Sequence, residues 1–99
     1  AASDVYKRQV LGAARPNPFN PSTTIAFTMS SAQHATLAVY TVDGRLVRTL
    51  LDGSLPAGAQ TAHWDGTAND GHPVASGTYL YRLRASDGFD RSGRMTLVK

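Results

Sequence analysis

The feature that most constrains the fold is a two-residue alternation of apolar and polar side chains, which recurs along the chain and is interrupted by turn-forming residues. The segment TYLYRLRA (78–85) shows it most clearly. Its inward set is Tyr79, Tyr81 and Leu83, and its outward set is Leu80, Arg82 and Arg84. Because side chains alternate between the two faces of a strand, this pattern predicts a β-strand with one buried face.

Further runs of this kind are bounded by Gly, Asp, Ser or Pro. They are TTIAFTM (23–29), ATLAVYTV (35–42), RLVRTLL (45–51), AQTAHW (59–64) and GRMTLVK (93–99). The pair Asp43-Gly44 between the second and third of these is a strong hairpin signal. Six or seven short strands with turns roughly every eight to twelve residues predict an antiparallel immunoglobulin-like sandwich.

Composition supports an all-β fold. All seven acidic residues are Asp, and eight of the ten basic residues are Arg. Helix surfaces favour Glu and Lys, whereas Asp, Asn and Gly favour turns. With 99 residues and no cysteine, the chain is expected to form one small Ig-like β-sandwich of about seven strands without a disulfide.

The core is expected to form around Trp64, the only tryptophan, which is flanked by small residues. Its predicted neighbours are Ile25, Phe27, Leu37, Val39, Tyr79, Tyr81, Leu83 and Leu97. The third run is ambiguous, because Leu46 and Leu50 lie on one side of it and Val47 and Leu51 on the other. A β-bulge or a strand covered on both faces would explain this pattern.

Two parts of the chain are distinguished at the N-terminal side. Residues 1–15 are interpreted as a linker or a non-native leader, and residues 1–9 have the character of a translated adapter remnant. The Ig-like domain is expected over 16–99. Its lead-in, PNPFNPST (16–23), is expected to be stiff and extended, because residues before proline avoid the helical region and proline has no N–H.

The sequence offers little chemistry for catalysis. His34, His63 and His72 lie far apart without a second ligand at metal-ligand spacing, and no G-x-S-x-G elbow occurs. We therefore expect no enzyme, no cofactor and no metal site. We also expect no nucleic-acid partner, because Asp87 and Asp90 interrupt the basic residues near the C-terminus, and no transmembrane segment, because no apolar run approaches about 20 residues.

The loop DGTANDG (65–71) contains possible calcium ligands in Asp65, Asn69 and Asp70. It does not fit the EF-hand template, which requires Gly at the position of Asp70 and Glu at that of Ser76. Side-chain-capped turns with glycine account for the same residues, and this interpretation is preferred.

Several short motifs occur together: PNPFNPST, VYTVDGR, LPAG, WDG and ASGTY, followed by a basic terminal strand. Together they resemble the C-terminal sorting domain of type IX secretion, and the segment HWDGTANDGHPVASGTYLYRLRA is equally similar to the Ig-like domain of the flagellar hook-capping protein FlgD. The residues that carry the resemblance are Pro16, Asn17, Pro18, Phe19, Asn20, Pro21, Trp64, Asp65, Gly66, Gly77 and Tyr79.

The resemblance implies a non-catalytic address label at the C-terminus of a larger exported protein. It also implies recognition by outer-membrane secretion machinery, removal by a sortase-like peptidase, and passage through the periplasm to the cell surface. The alternative is a structural or adhesive Ig-like module that binds a protein partner and is retained. A sorting tail must end its chain, and the position of Lys99 directly after the last strand favours the first interpretation.

Recognition is predicted on the terminal hairpin, Thr78 to Lys99. Its outward cations are Arg82, Arg84 and Arg94, with Lys99 at the end. Alternation sends these arginines away from Tyr81, Leu83 and Met95, so they are expected to form a basic strip near a sheet edge, where a partner strand can add hydrogen bonds.

Overall fold

A computed structural model describes residues 9–99 as two packed antiparallel sheets. The strands are β1 (Val10–Arg15), β2 (Thr23–Met29), β3 (Gln33–Thr41), β4 (Leu46–Leu55), β5 (Gly58–Trp64), β6 (Gly77–Ala85) and β7 (Asp90–Leu97). One sheet has the order β1-β2-β5 and the other the order β4-β3-β6-β7. The predicted all-β sandwich of about seven strands is therefore confirmed. Within residues 9–99 the chain contains no helix long and apolar enough to cross a membrane.

The predicted core is also confirmed. Trp64, Ile25, Leu37, Val39, Leu83 and Leu97 are fully buried, and Phe27, Tyr79 and Tyr81 are nearly so. The β2 residues Ile25 and Phe27 alternate with the more exposed Thr24 and Ala26, as a strand with one buried face requires. Fifteen buried apolar residues form a single cluster between the two sheets.

The ambiguity of the third run is resolved by two irregularities in β4. Leu37 pairs with Leu51 and Ala38 with Thr49, so Leu50 has no partner in register. A second shift leaves Val47 unmatched, and both residues pack against the core while partly buried. The β-bulge prediction is confirmed: each extra residue switches the face on which the following side chains lie.

The interpretation of residues 10–15 as a linker is wrong, because this segment forms strand β1. β1 pairs with β2 in register Leu11 to Phe27 and Ala14 to Ile25, with a bulge between Leu11 and Ala14. The sequence of this strand, VLGAAR, has no two-residue alternation, because the bulge shifts the side chains that follow it to the other face. The pattern that predicts a strand is therefore absent.

The suspected adapter remnant lies mostly outside the described residues, which begin at Gln9. The side chain of Gln9 itself contacts the fold. Its Oε1 accepts hydrogen bonds from the Ser30 N–H at 2.9 Å and from the Ser30 hydroxyl at 3.0 Å. Gln9 therefore contributes to the end of the sandwich where β2 finishes.

Candidate functional site

Residues of the PNPFNPST, WDG and ASGTY motifs lie close together in three dimensions, around one aromatic cluster. Phe19 from the lead-in lies 5.5 Å, centroid to centroid, from Trp64, and Trp64 lies 5.2 Å from Tyr79 in an edge-to-face arrangement. Phe19 is 2% exposed and Trp64 is fully buried. Such aromatic pairs contribute about 0.5–1.5 kcal/mol beyond the burial of their area. Phe19 is not among the predicted core residues, although the neighbouring prolines mark a segment fixed in position.

The lead-in does not stand apart from the sandwich, because it is bonded to the edge of β7. The Phe19 N–H donates to the Thr96 carbonyl at 2.9 Å, and the Phe19 carbonyl accepts from the Val98 N–H at 2.9 Å. The side chain of Asn17 continues this pairing: its Oδ1 accepts from the Thr96 N–H at 2.9 Å and its Nδ2 donates to the Arg94 carbonyl at 3.2 Å. The Asn17 amide thus substitutes for a peptide group of a neighbouring strand.

The other motif residues shape the turns around this cluster. Gly66 has φ +79°, which other residues rarely adopt, and a Cβ there would lie only 3.1 Å from the Pro21 carbonyl oxygen, so both conditions favour glycine. The Thr23 hydroxyl donates to the Pro16 carbonyl at 2.8 Å. Pro18 and Asn20 are exposed. Gly77 has φ +153° and begins β6, two residues before Tyr79, whose hydroxyl donates to the Ala75 carbonyl.

The loop 65–71 contains the predicted capped turns. Asp65 Oδ1 accepts from the Thr67 N–H at 3.2 Å and from its hydroxyl at 2.5 Å, and Asp70 Oδ1 accepts from the His72 N–H at 3.0 Å. The Thr67 hydroxyl is the main reason that the pKa of Asp65 is lowered. Asn69 Oδ1 accepts from the Thr49 N–H at 3.0 Å, which ties the loop to β4. These carboxylate and amide oxygens already accept hydrogen bonds from neighbouring turn residues or from β4, and residues 9–99 contain no cluster of three or more His and Asp side chains that could hold a metal ion.

The arginines predicted to form a basic strip do lie on one face of the terminal hairpin, but their charge is partly compensated. Arg82 makes a two-pronged pair with Asp90, with Nε 2.7 Å from Oδ1 and Nη2 2.5 Å from Oδ2, and Arg84 lies 4.0 Å from the same carboxylate. The hydrogen bonds from Arg82 are the main cause that lowers the pKa of Asp90. Arg94 is exposed and has no carboxylate partner among the described residues.

Lys99 lies just beyond β7, where its N–H donates to the Ser76 hydroxyl at 3.0 Å. The last strand is indeed a sheet edge, as predicted, since β7 has β6 on one side only. The lead-in occupies the C-terminal half of that edge through Thr96 and Val98. The half from Asp90 to Ser92 has no such pairing among the described residues.

The bridge that Tyr81 makes between the two sheets is a structural contact that the sequence pattern does not predict. Its hydroxyl donates to the Gly12 carbonyl at 2.9 Å and accepts from the Ala14 N–H at 3.2 Å. Gly12 lies within the bulge of β1, and Ala14 is the first residue after the bulge that pairs with β2. Gly93 lies opposite Tyr81 in the β6–β7 register, and its missing side chain leaves the space that the ring crosses.

This seven-stranded sandwich, with a proline-rich segment sealed onto the edge of its last strand, defines an Ig-like domain. The family profile of the FlgD Ig-like domain matches residues 16–88, and the chain belongs to that family. The matched range ends just before β7 begins.

Relatives with similar sequences are FlgD proteins. The basal-body rod modification protein FlgD of Salmonella typhimurium is 44% identical over 57 residues, which cover 58% of this chain and 25% of that protein. FlgD of Escherichia coli is 36% identical over 70 residues, which cover 68% of this chain and 30% of that protein. The chain therefore spans less than a third of the length of the curated relatives that it matches.

Solved structures with a similar fold include PorU, PorZ and a further FlgD. Dimeric latent PorU from Porphyromonas gingivalis is 25% identical with a TM-score of 0.73, covering 92% of this chain and 9% of that one. PorZ of the same organism, described as an essential bacterial surface component of the type IX secretion system, is 18% identical with a TM-score of 0.62, covering 88% of this chain and 11% of that one. FlgD from Pseudomonas aeruginosa is 22% identical with a TM-score of 0.64, and the match covers 90% of this chain and 71% of that one. The PorZ and FlgD structures show the shared fold alone.

Proposed function

We propose that this chain is the non-catalytic sorting domain of a larger exported protein, recognised by type IX secretion machinery at the outer membrane. The observation that carries the proposal is the similarity to PorU, which covers 92% of this chain and only 9% of PorU. A small Ig-like domain of this kind is thus one part of a much larger protein there. The surface location given for PorZ is consistent with an exported parent.

The domain acts in this proposal through its surface and not through chemistry. The motif residues Asn17, Phe19 and Trp64 are engaged in building the aromatic cluster and the sealed edge of β7. They determine whether the domain folds. The partner then binds the exposed residues of the terminal hairpin. Of the three outward arginines, Arg94 is the one without a carboxylate partner in the described part of the chain.

A fusion experiment tests the proposal. The chain is placed at the C-terminus of a periplasmic reporter in a bacterium with a type IX system, and surface yield is compared for the wild type and Arg94→Asp. We expect surface display of the wild type and retention of the variant in the periplasm. Arg91→Asp is the matched control, because Arg91 is an exposed arginine on the opposite face of the same strand.

Two other changes to the terminal hairpin, Arg82→Asp and deletion of Met95 to Lys99, are less informative in this assay, because each would also disturb the fold or its charge pairs. Arg82→Asp would place two carboxylates together, because Asp90 lies beside Arg82. Deleting Met95 to Lys99 would remove two fully buried residues and the strand to which the lead-in is bonded. If Arg94→Asp melts like the wild type and the reporter still reaches the surface at full yield, recognition does not depend on Arg94.

The second candidate is a structural, protein-binding module of the FlgD kind, and the 44% identity with Salmonella FlgD favours it. Replacing the corresponding Ig-like segment of that FlgD with residues 16–99 tests this function. Restored hook assembly, together with a reporter that never leaves the periplasm, would favour the structural role. Failure of the chimera with normal reporter display would favour sorting.

A further inference from the structure

The outward face of the four-stranded sheet is divided into a polar half and an apolar half. On the polar half, charges are paired within the face: Arg82 and Arg84 with Asp90, and His34 with Asp52 at 2.9 Å. Exposed pairs of this kind add little stability, but they leave few groups in need of a partner. The polar half therefore compensates part of its own charge, with two arginines sharing one carboxylate.

The apolar half contains a row of outward side chains that crosses all four strands, apolar on β4, β3 and β6 and ending in an arginine on β7. Leu46 on β4 pairs with Tyr40 on β3, Tyr40 with Leu80 on β6, and Leu80 with Arg94 on β7. We refer to Leu46, Tyr40 and Leu80 as the apolar row, with Arg94 at its end. Directly opposite residues of neighbouring strands present their side chains on the same face, so the row is continuous.

Exposed large apolar residues concentrate at this end of the sheet. Leu46 is 49% exposed and Val42 is 66% exposed. Val42 lies two residues after Tyr40, in the turn between β3 and β4. A shallow groove runs along the boundary with the polar half, and it is lined by Tyr40, Gly44, Leu80, Arg82, Asp90 and Ser92. A groove with apolar and charged walls offers a partner both desolvation and an orienting charge.

We propose that the apolar row and Arg94 form a docking surface for an extended protein segment that carries aromatic or aliphatic side chains next to a carboxylate. Charge complementarity selects this occupant: the terminal hairpin presents three outward arginines against one outward aspartate on this face, and Arg94 has no carboxylate partner among residues 9–99. A second copy of the chain fits less well, because a symmetric face-to-face contact would bring two net-positive surfaces together. The inference shares Arg94 with the sorting proposal but does not rest on it, since it concerns binding by the purified domain.

The test uses NMR titration of the full chain with two hexapeptides, one alternating Phe or Leu with Asp and one with Lys in place of Asp. We expect the acidic peptide to shift the amide signals of Leu46, Tyr40, Leu80 and Arg94, and the basic peptide to leave them in place. Leu80→Thr and Arg94→Gln should each weaken binding of the acidic peptide by about tenfold, which is about 1.4 kcal/mol. Arg91→Gln is the control and should bind like the wild type.

Three results would overturn the inference. Equal binding of both peptides would remove the charge selection, and shifts confined to other residues would place the site elsewhere. Concentration-dependent dimerisation that Leu80→Thr abolishes would assign the face to a second copy of the chain. Because the readout is direct binding, a negative result leaves the secretion assay as an independent test of the sorting proposal.

Discussion

Gly93 lies directly opposite Tyr81, and a Cβ at Gly93 would sit 2.3 Å from the Tyr81 hydroxyl oxygen and from the ring carbon that carries it. Tyr81 is 3% exposed and reaches past β7 to bond with Gly12 and Ala14 in the opposite sheet. The absence of a side chain at one position therefore allows a link between the two sheets.

The first prediction concerns this pair. Gly93→Ala should lower the free energy of unfolding by about 1–3 kcal/mol, because the ring must leave its place and the core is overpacked. Urea denaturation measures it. Gly53→Ala is the matched control, since that glycine lies in β4 with no atom near its missing Cβ, and it should cost less. Equal effects of the two substitutions would contradict the packing argument.

The second prediction is pH-dependent. Burial raises the pKa of Tyr81 and of Tyr79, so the folded state favours the neutral phenol. This stabilisation is complete below the unfolded-state pKa of about 10 and is lost as pH rises from there through the raised folded-state pKa. The urea midpoint should therefore fall steeply above about pH 10, and Tyr81→Phe should fall less steeply. Parallel curves for the two proteins would show that Tyr81 does not contribute.

At neutral pH Tyr81→Phe has a separate cost, which is the third prediction. Removing the hydroxyl leaves the Ala14 N–H and the Gly12 carbonyl without this partner. An unsatisfied buried group costs about 1–3 kcal/mol, so the variant should be less stable by that amount. A midpoint equal to that of the wild type would mean that water replaces the hydroxyl.

The fourth prediction tests the sealed edge of β7. Asn17→Ala removes both bonds from the side-chain amide and should cost about 1 kcal/mol. Hydrogen exchange at the Thr96 amide should accelerate more than at Val98, whose N–H bonds to the Phe19 backbone. Asn20→Ala is the control, because the Asn20 side chain is exposed and makes no hydrogen bond to another described residue. Unchanged protection of Thr96 would show that Asn17 does not hold this edge.

The fifth prediction addresses the core. Trp64→Ala should cost about 3–5 kcal/mol, since the side chain is fully buried between Phe19 and Tyr79. Trp64→Phe should cost less but should still lose the bond from Nε1 to the Thr67 carbonyl, at 2.9 Å. Chemical denaturation of both variants measures the difference. An alanine variant with the wild-type midpoint would exclude Trp64 as the anchor.

Calcium provides a further check on the loop. Asp65 and Asp70 already accept hydrogen bonds from their own turns. Millimolar calcium should therefore leave the melting temperature unchanged, because only a ligand that binds the folded state raises it. A rise of several degrees would mean that the loop rearranges to bind the ion.

The sequence by itself determined the strands with clean alternation and the core that they enclose. In β2 and β6 every second side chain is apolar, and a one-residue shift would expose the whole set, so the buried face is fixed locally. The same holds for the turns at Asp65 and Asp70, whose side chains bond within two residues.

Only the tertiary structure decided the features that depend on residues far apart in the chain. β1 is a strand because it pairs with β2 and because the Tyr81 hydroxyl donates a hydrogen bond to the Gly12 carbonyl in its bulge. No local sequence pattern predicts either contact. The local sequence predicts Asn17 as a turn residue, yet its side chain accepts a hydrogen bond from the Thr96 N–H on the edge of β7, 79 positions away. The hydrogen-bonding needs of a backbone group are local, but the group that meets them is chosen by the packing of the whole domain.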